Sequence, residues 1–178
     1  MKKSQKWLVI GAIALIAFFA AFGVLGYMEY AAKSGGASGG DSAEAGNLPK
    51  TIEGLPLVNV VSGKAALDQI SQLHGTNIQM TSGYIATYEK EQERVIVWVG
   101  RAKSASDAQA LLDAMVGKMA NNNVFAKPEK LVIKDRAYYY TVGAGMSNYF
   151  YVKGDSVYWI GAITPNEVNV VKAIIKEM

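Results

Sequence analysis

The chain contains no cysteine and only one histidine, His74, among its 178 residues. Without cysteine it has no disulfide, no thiolate metal site and no cysteine for lipid attachment. A single histidine argues against a His-containing catalytic triad and against a metal centre with several histidine ligands. His74 falls at the end of a predicted helix, where interaction with the helix dipole is the ordinary explanation for a histidine. We therefore expect no catalytic residue, no metal site and no cofactor.

An excess of charge of one sign is also missing from the region after residue 47. This region holds fourteen Lys and Arg against twelve Asp and Glu, with no basic stripe, so no nucleic-acid partner is predicted. Three acidic residues cluster at Glu89, Glu91 and Glu93, with Lys90 and Arg94 interleaved. This mixture is typical of a solvated turn and lacks the calcium-loop pattern.

One long apolar run is present near the N-terminus. Trp7 to Tyr27 has 21 residues without a charge, and a helix of that length spans about 31 Å, which matches a bilayer core. The run predicts a transmembrane helix over residues 7–28. A cleaved signal peptide is the alternative, but its apolar region normally has about 7–15 residues and a small-x-small site soon after it. A retained anchor is the favoured interpretation.

Charges around this run predict its orientation. Lys2, Lys3 and Lys6 precede it, whereas Glu29 and Lys33 roughly cancel after it. Because positive charge stays on the cytoplasmic side, residues 1–6 are expected in the cytoplasm and the C-terminal domain outside it. The predicted location is the cell membrane, with a single pass.

Small residues form a strip within the predicted anchor. Gly11, Ala14, Ala17 and Ala21 follow one another at spacings of three, three and four. Such a strip is a candidate face for helix association, since it allows a second helix to approach closely. The alternative is that small residues are simply common in such spans, and the strict Gly-x-x-x-Gly form is absent.

The segment after the anchor is rich in Gly, Ser and Ala, as in "KSGGASGGDSAEAGN" from Lys33 to Asn47. This composition predicts a flexible linker over residues 29–47, and its Gly-rich part would have a root-mean-square span of roughly 20 Å. Residues 48–178 are then one folded extracytoplasmic domain, held near the membrane surface.

Apolar periodicity predicts an α+β domain with an antiparallel sheet. Ser62 and Ser104 are expected to cap helices, and Thr164, Pro165 and Glu167 form a capping-box pattern before a third helix. Strands are predicted at Tyr84–Tyr88, Arg94–Gly100, Lys130–Lys134, Ala137–Gly143, Asn148–Val152 and Ser156–Ala162.

A short phrase occurs twice in the domain. "VWVG" at Val97–Gly100 precedes Ser104-x-x-Asp107, and "YWIG" at Tyr158–Gly161 precedes Thr164-x-x-Glu167. Each phrase is typical of a hairpin strand that leads into a capped helix. Two such ββα units are expected side by side in one sheet, with both helices across the same face. Chance similarity between two strand–helix junctions is the alternative.

The second unit is rich in aromatic residues. Alternation places Tyr138 and Tyr140 on one face of their strand and Tyr139 on the other. We identify a candidate partner-binding set, which comprises Tyr138, Tyr140, Tyr149, Tyr151 and Trp159. Tyr and Trp are favoured at interfaces. Ordinary strand propensity and cross-strand packing account for the same residues without a partner.

Together these features favour a non-enzymatic, single-pass accessory protein whose extracytoplasmic domain docks onto a larger membrane assembly. Its expected partners are the membrane and other subunits of a membrane complex. The sequence does not decide whether the chain also self-associates. The alternative is a membrane-tethered domain that binds a small ligand or lipid in a pocket between the sheet and the first helix. An enzyme is a third hypothesis, which would need carboxylate or tyrosine chemistry.

Overall fold

The computed structural model describes residues 47–74, 79–121, 123–133 and 136–178. The predicted anchor at 7–28, the candidate helix-association residues Gly11, Ala14, Ala17 and Ala21, and the linker up to residue 46 lie outside the described residues. No helix within the described ranges is both long and apolar enough to span a bilayer.

The elements, in chain order, are β1 (Thr51–Ile52), β2 (Leu55–Ser62), α1 (Gly63–His74), β3 (Ser82–Lys90), β4 (Glu93–Arg101), α2 (Ala105–Met119), β5 (Glu129–Ile133), β6 (Arg136–Gly143), β7 (Met146–Lys153), β8 (Ser156–Ile163) and α3 (Glu167–Glu177).

The eight strands form one sheet in the order β1-β2-β3-β4-β8-β7-β6-β5. Every neighbouring pair is antiparallel. The predicted α+β class with an antiparallel sheet is therefore confirmed. Strands β1 and β5 are the two edges, and β4 and β8 lie side by side at the centre.

The two hairpins β3–β4 and β7–β8 meet at this central pair. Trp98 stands opposite Trp159, and Val97 and Val99 stand opposite Ile160 and Tyr158. This register is symmetric about the two tryptophans, whose ring centroids are 5.5 Å apart. Each hairpin is followed by a helix, and the two hairpins occupy equivalent positions on either side of the Trp pair.

The sheet has two distinct faces, because side chains alternate along each strand. One is the tyrosine face, which carries Tyr84, Val97, Tyr151, Tyr158 and Ile160. The other is the tryptophan face, which carries Ile85, Ile96, Trp98, Phe150 and Trp159. Both faces are buried at the centre of the sheet, as the continuously apolar run "VIVWV" in β4 predicts.

The helices are divided between the two faces. On the tryptophan face, Ala66 and Ile70 of α1 pack against Ile85 and Ile96, and α2 packs against β7 and β8. On the tyrosine face, α3 buries its apolar side, formed by Val170, Val171 and Ile174. The expectation that the helices after β4 and β8 share one face is therefore wrong.

The reason for this division is competition for space on the tryptophan face. A Cβ added to Gly83 in β3 would lie 3.3 Å from Ile70 Cδ1 and 3.4 Å from Leu67 Cδ2, so α1 already lies directly on β3. That is where α3 would have to pack to mirror α2. Helix α3 instead packs on the opposite face, where it covers the buried tyrosines.

Of the two helix caps predicted after β4 and β8, the structure confirms one and contradicts the other. Ser104 caps α2 as predicted, and its Oγ accepts a hydrogen bond from the Asp107 backbone N–H at 3.1 Å. The predicted Thr164 cap is wrong, because α3 begins at Glu167 after Asn166. The Thr164 hydroxyl donates to Glu93 at the start of β4. The same oxygen accepts the Asn166 backbone N–H at 3.2 Å, so Thr164 lies in the turn before the helix and not at its N-cap.

Candidate functional site

A row of tyrosines crosses the tyrosine face. The strand registers place Tyr138 opposite Tyr151 and Tyr151 opposite Tyr158, while Tyr84 and Tyr158 flank Val99 on β4. The rings of Tyr151 and Tyr158 are stacked with centroids 4.7 Å apart, and those of Tyr138 and Tyr151 are 5.3 Å apart. All four tyrosines are buried. They form part of the core beneath the surface.

The hydroxyl of Tyr151 is the unusual group in this row. It is buried and has no hydrogen-bond partner among the described residues. Burial first, and then the neighbouring Tyr158, Tyr138 and Tyr84, raise the pKa of Tyr151, whereas Arg136 acts in the opposite direction. The phenol is therefore neutral at physiological pH and unsuited to act as a base. A buried hydroxyl left unpaired costs about 1–3 kcal/mol.

A second tyrosine pair lies nearer the free edge of the sheet. Tyr140 and Tyr149 are half-buried, and their ring centroids are 5.1 Å apart. The Tyr149 hydroxyl donates a hydrogen bond of 3.0 Å to Glu167 Oε1. Burial and this bond to Glu167 raise the pKa of Tyr149, so it also stays protonated. The bond connects β7 to the first turn of α3.

Beyond this pair, the tyrosine face has no helix over it among the described residues. Helix α3 packs over the centre of the sheet and near β1. Leu131 in β5 is 42% exposed and Val142 in β6 is 51% exposed. We name the four residues Leu131, Tyr140, Val142 and Tyr149 the open patch. They share one face, because Leu131 pairs with Tyr138, and Tyr140 and Val142 follow Tyr138 at even spacing.

Trp159 lies on the opposite face from the tyrosines. Its ring contacts Trp98, Phe125 and Phe150, with centroid distances of 5.5, 5.9 and 4.9 Å. Its indole N–H donates to Asn148 Oδ1 at 2.9 Å. Trp159 is therefore part of the core beneath α2, and the structure does not bring it together with the four tyrosines of the candidate set.

The structure thus divides the five candidate residues into three groups. Tyr138 and Tyr151 are buried in the tyrosine row, Trp159 is buried on the other face, and Tyr140 and Tyr149 reach the surface. Sequence reasoning did not include Leu131 and Val142. In the sequence, Val142 follows Tyr138 and Tyr140 at even spacing on β6, and Leu131 lies on the preceding strand, but strand spacing alone does not show which part of a face a helix leaves uncovered.

A small cavity lies where the ligand-binding hypothesis places a pocket, between the sheet and the helices of the tryptophan face. Its volume is about 20 Å³, and Ile70, Met80, Trp98, Met115 and Trp159 are among its lining residues. This volume is close to that of one water molecule, whereas ligand pockets measure about 300–1,000 Å³. The described residues therefore offer no room there for a metabolite or an acyl chain.

A larger surface cleft of about 560 Å³ lies at the turn between β3 and β4. It is lined by Glu91, Gln92, Glu93 and by Ile163, Thr164 and Pro165. Glu93 already accepts the Thr164 hydroxyl. Within the described ranges, no group of three or more His, Cys, Asp or Glu side chains is placed to hold a metal ion.

The chain was compared with protein-family models, with curated protein sequences and with solved structures, and none of the three comparisons found a match.

Proposed function

We propose that the protein is a non-enzymatic, single-pass membrane-anchored accessory protein, whose domain at residues 48–178 docks onto a larger membrane assembly outside the cytoplasm. The observation that carries this proposal is the open patch. Its four residues are aliphatic or tyrosine and lie on the sheet next to the core. Interface centres have this composition, with aromatic residues enriched and charged residues depleted.

The occupant we propose is an apolar surface of a membrane protein. The predicted anchor and linker would keep the open patch within a few nanometres of such a surface, which raises its effective concentration. The small cavity beneath α1 and α2 favours docking over a small-ligand or lipid site between the sheet and the first helix, because about 20 Å³ does not admit a ligand of ordinary size.

The test is site-specific photocrosslinking of the full chain in its native membranes. A benzophenone amino acid replaces Tyr140 in the open patch. The matched control replaces Tyr139, an adjacent tyrosine whose side chain lies on the other face against the α2 cluster. We expect a discrete membrane-protein adduct from position 140 and none from position 139.

A second variant separates docking from chance proximity. Val142→Lys adds a charge to the open patch, and Val58→Lys adds one at a similarly exposed position in β2, where the side chain is 55% exposed. We expect Val142→Lys to abolish the adduct from position 140 and Val58→Lys to leave it. Equal adducts from positions 139 and 140, or an adduct that survives Val142→Lys, would overturn the proposal.

The proposed orientation has its own test. Protease added to intact cells is expected to cleave within residues 29–47 and release the domain, because a Gly/Ser-rich segment outside the membrane is accessible. Full protection in intact cells, with cleavage after the cells are opened, would place the domain on the cytoplasmic side.

A further inference from the structure

The two edges of the sheet differ in how they are protected. At one edge, β1 has only two residues, and β2 beside it contains Pro56 and a register shift between Leu57 and Asn59. Proline, short strands and irregularities are the usual means of preventing edge-to-edge pairing. Strand β5 itself contains neither a proline nor a register shift, although Pro128 directly precedes it. It is a regular five-residue strand, "EKLVI", with one lysine.

Strand β5 also exposes apolar side chains on both faces of the sheet. Leu131 lies on the tyrosine face and is 42% exposed, whereas Val132 lies on the tryptophan face and is 67% exposed. An added strand would cover both side chains and would also satisfy the outward N–H and C=O groups of β5. The edge therefore suits an extended strand better than a helix or a flat surface.

We propose that this strand is β5 of a second copy of the same chain, in antiparallel register with Leu131 opposite Leu131 of that copy. This register places position 129 opposite position 133 and position 130 opposite position 132. Lys130 stands opposite Val132, so the two lysines are diagonal neighbours about 8 Å apart and do not face each other directly. The two eight-stranded sheets then continue as one, with a two-fold axis at Leu131.

Charge complementarity supports this register. Arg136 on β6 stands opposite position 133 of β5. Within one chain, position 133 is four residues from Glu129 along β5, or about 13 Å. In the paired sheets, Glu129 of one copy is only two strand spacings, or about 10 Å, from Arg136 of the other copy. The flexible Arg and Glu side chains can span that distance. The two-fold axis repeats the pair, so the interface holds two Glu129–Arg136 pairs at this separation.

The pairing joins the apolar rows of the two copies. Tyr151, Tyr138 and Leu131 lie in one row, and across the axis the row continues through Leu131, Tyr138 and Tyr151 of the second copy. The open patches of both copies then form one surface. The two proposals share Leu131, but the pairing rests on the backbone edge of β5, whereas docking rests on Tyr140, Val142 and Tyr149 of the sheet face, so either can hold without the other.

The absence of native cysteine allows a direct test by disulfide crosslinking of the full chain in membranes. In antiparallel pairs, directly opposed Cα atoms are about 4.5–5.5 Å apart, which lies within the range of a disulfide. We expect Leu131→Cys to form dimers on mild oxidation about tenfold or more faster than Val58→Cys or Val168→Cys, because only the first places two thiols in disulfide geometry. Both control side chains are 55% exposed, more than that of Leu131.

The register has a separate readout. A mixture of the Lys130→Cys and Val132→Cys chains should crosslink between the two variants faster than either variant crosslinks alone. In detergent, Leu131→Lys should shift the native size from dimer to monomer, because it places two ammonium groups on the axis, whereas Val142→Lys should not. Unfolding midpoints in urea check that each variant is folded.

Equal crosslinking rates at positions 131, 58 and 168 would overturn the proposed pairing. So would a monomeric parent chain in membranes, or a strand from a different protein crosslinked to position 131. Failure of the docking function would look different: Leu131→Cys dimers would form, but position 140 would give no membrane-protein adduct.

Discussion

Tyr151 lies flat against Tyr158, with ring centroids 4.7 Å apart and only 8° between the ring planes. Their hydroxyls differ in one respect. Tyr158 donates to the main-chain oxygen of Met178 at 3.2 Å, after the end of α3, whereas Tyr151 has no partner among the described residues. Two neighbouring phenols on one face therefore contribute differently to stability.

We predict that Tyr151→Phe leaves the free energy of unfolding unchanged or raises it by about 1 kcal/mol, because it removes a buried hydroxyl that has no partner. Tyr158→Phe is the matched variant and should lower the free energy by about 0.5–1.5 kcal/mol through the lost bond to Met178. Urea denaturation of the full chain in detergent measures both. A larger loss for Tyr151→Phe than for Tyr158→Phe would show that the Tyr151 hydroxyl has a partner.

The tyrosines also predict how stability depends on pH. Burial, and then Glu177, raise the pKa of Tyr88 to about 12, and the pKa values of Tyr149 and Tyr151 are raised as well. A raised phenol pKa favours the neutral form in the folded state. Its contribution is complete below the unfolded value near 10 and is lost as pH rises through the folded value.

We therefore expect the free energy of unfolding to fall as pH rises above about 10. Tyr88→Phe should make this fall shallower between about pH 10 and 12. The slope of the unfolding free energy against pH should decrease by the equivalent of up to about one bound proton. It also removes the hydrogen bond to the Pro49 carbonyl, which is 3.1 Å long, so stability at neutral pH should decrease slightly. Urea titrations at several pH values measure both effects, and an unchanged slope in Tyr88→Phe would contradict the assignment.

Two glycines should respond to alanine in opposite directions. A Cβ at Gly143 would lie 2.7 Å from the Val124 carbonyl oxygen and 2.8 Å from Phe125 Cα, and backbone atoms cannot move aside easily. A Cβ at Gly117, in α2, would meet nothing within 4 Å. We expect Gly143→Ala to destabilise by about 1–3 kcal/mol and Gly117→Ala to stabilise by about 0.5–1 kcal/mol. Thermal denaturation compares the two, and the same sign for both would contradict this packing.

Periodicity predicted the local structure of the domain well where each element follows its own pattern. In α2, the buried residues Ala108, Leu112, Met115 and Met119 recur at the spacing of three and four that an amphipathic helix requires. Alternation correctly placed Tyr138 and Tyr139 on opposite faces of β6. The strand β2, "LPLVNVVS", was not predicted, because the register shift between Leu57 and Asn59 interrupts its alternation and Val58 and Val60 are exposed.

Long-range choices were harder to predict from the sequence. The face that α3 covers depends on where α1 packs, and the residue that pairs with the Thr164 hydroxyl, Glu93, is 71 residues away in the chain. Local patterns contain neither fact. The candidate site was found only in part for the same reason: Tyr140 and Tyr149 are half-buried beside the first turn of α3, whereas Tyr138 and Tyr151 have the same strand pattern and are fully buried.

The bond between Thr164 and Glu93 can be tested with a matched pair of variants. Thr164→Ser keeps the hydroxyl, and Thr164→Val keeps the shape but removes the donor to Glu93 and the acceptor for the Asn166 N–H. We expect Thr164→Val to cost about 1–3 kcal/mol, since one partner is a carboxylate, and Thr164→Ser to cost less. Equal losses in urea denaturation would mean that the methyl group, and not the hydroxyl, stabilises this junction.

A buried polar side chain, that of Asn148, lies beneath α2. Asn148 is 1% exposed. It donates to the carbonyls of Gly143 and Met146, at 3.1 and 2.9 Å, and accepts the Trp159 indole N–H at 2.9 Å. Each buried polar group here depends on the others, so we expect Asn148→Leu to cost on the order of 3 kcal/mol. Trp159→Phe should also destabilise, because it removes the indole N–H and leaves Asn148 Oδ1 without that donor.

A double-mutant cycle isolates this bond from the packing around it. Once either partner is absent, removing the second no longer strands a buried group, so the two losses should fall short of additive by about 1 kcal/mol or more. Ile174→Val, on the opposite face of the sheet, is the control and should add to Asn148→Leu within about 0.5 kcal/mol. Strict additivity between Asn148→Leu and Trp159→Phe would show that the indole and the amide stabilise the sheet independently.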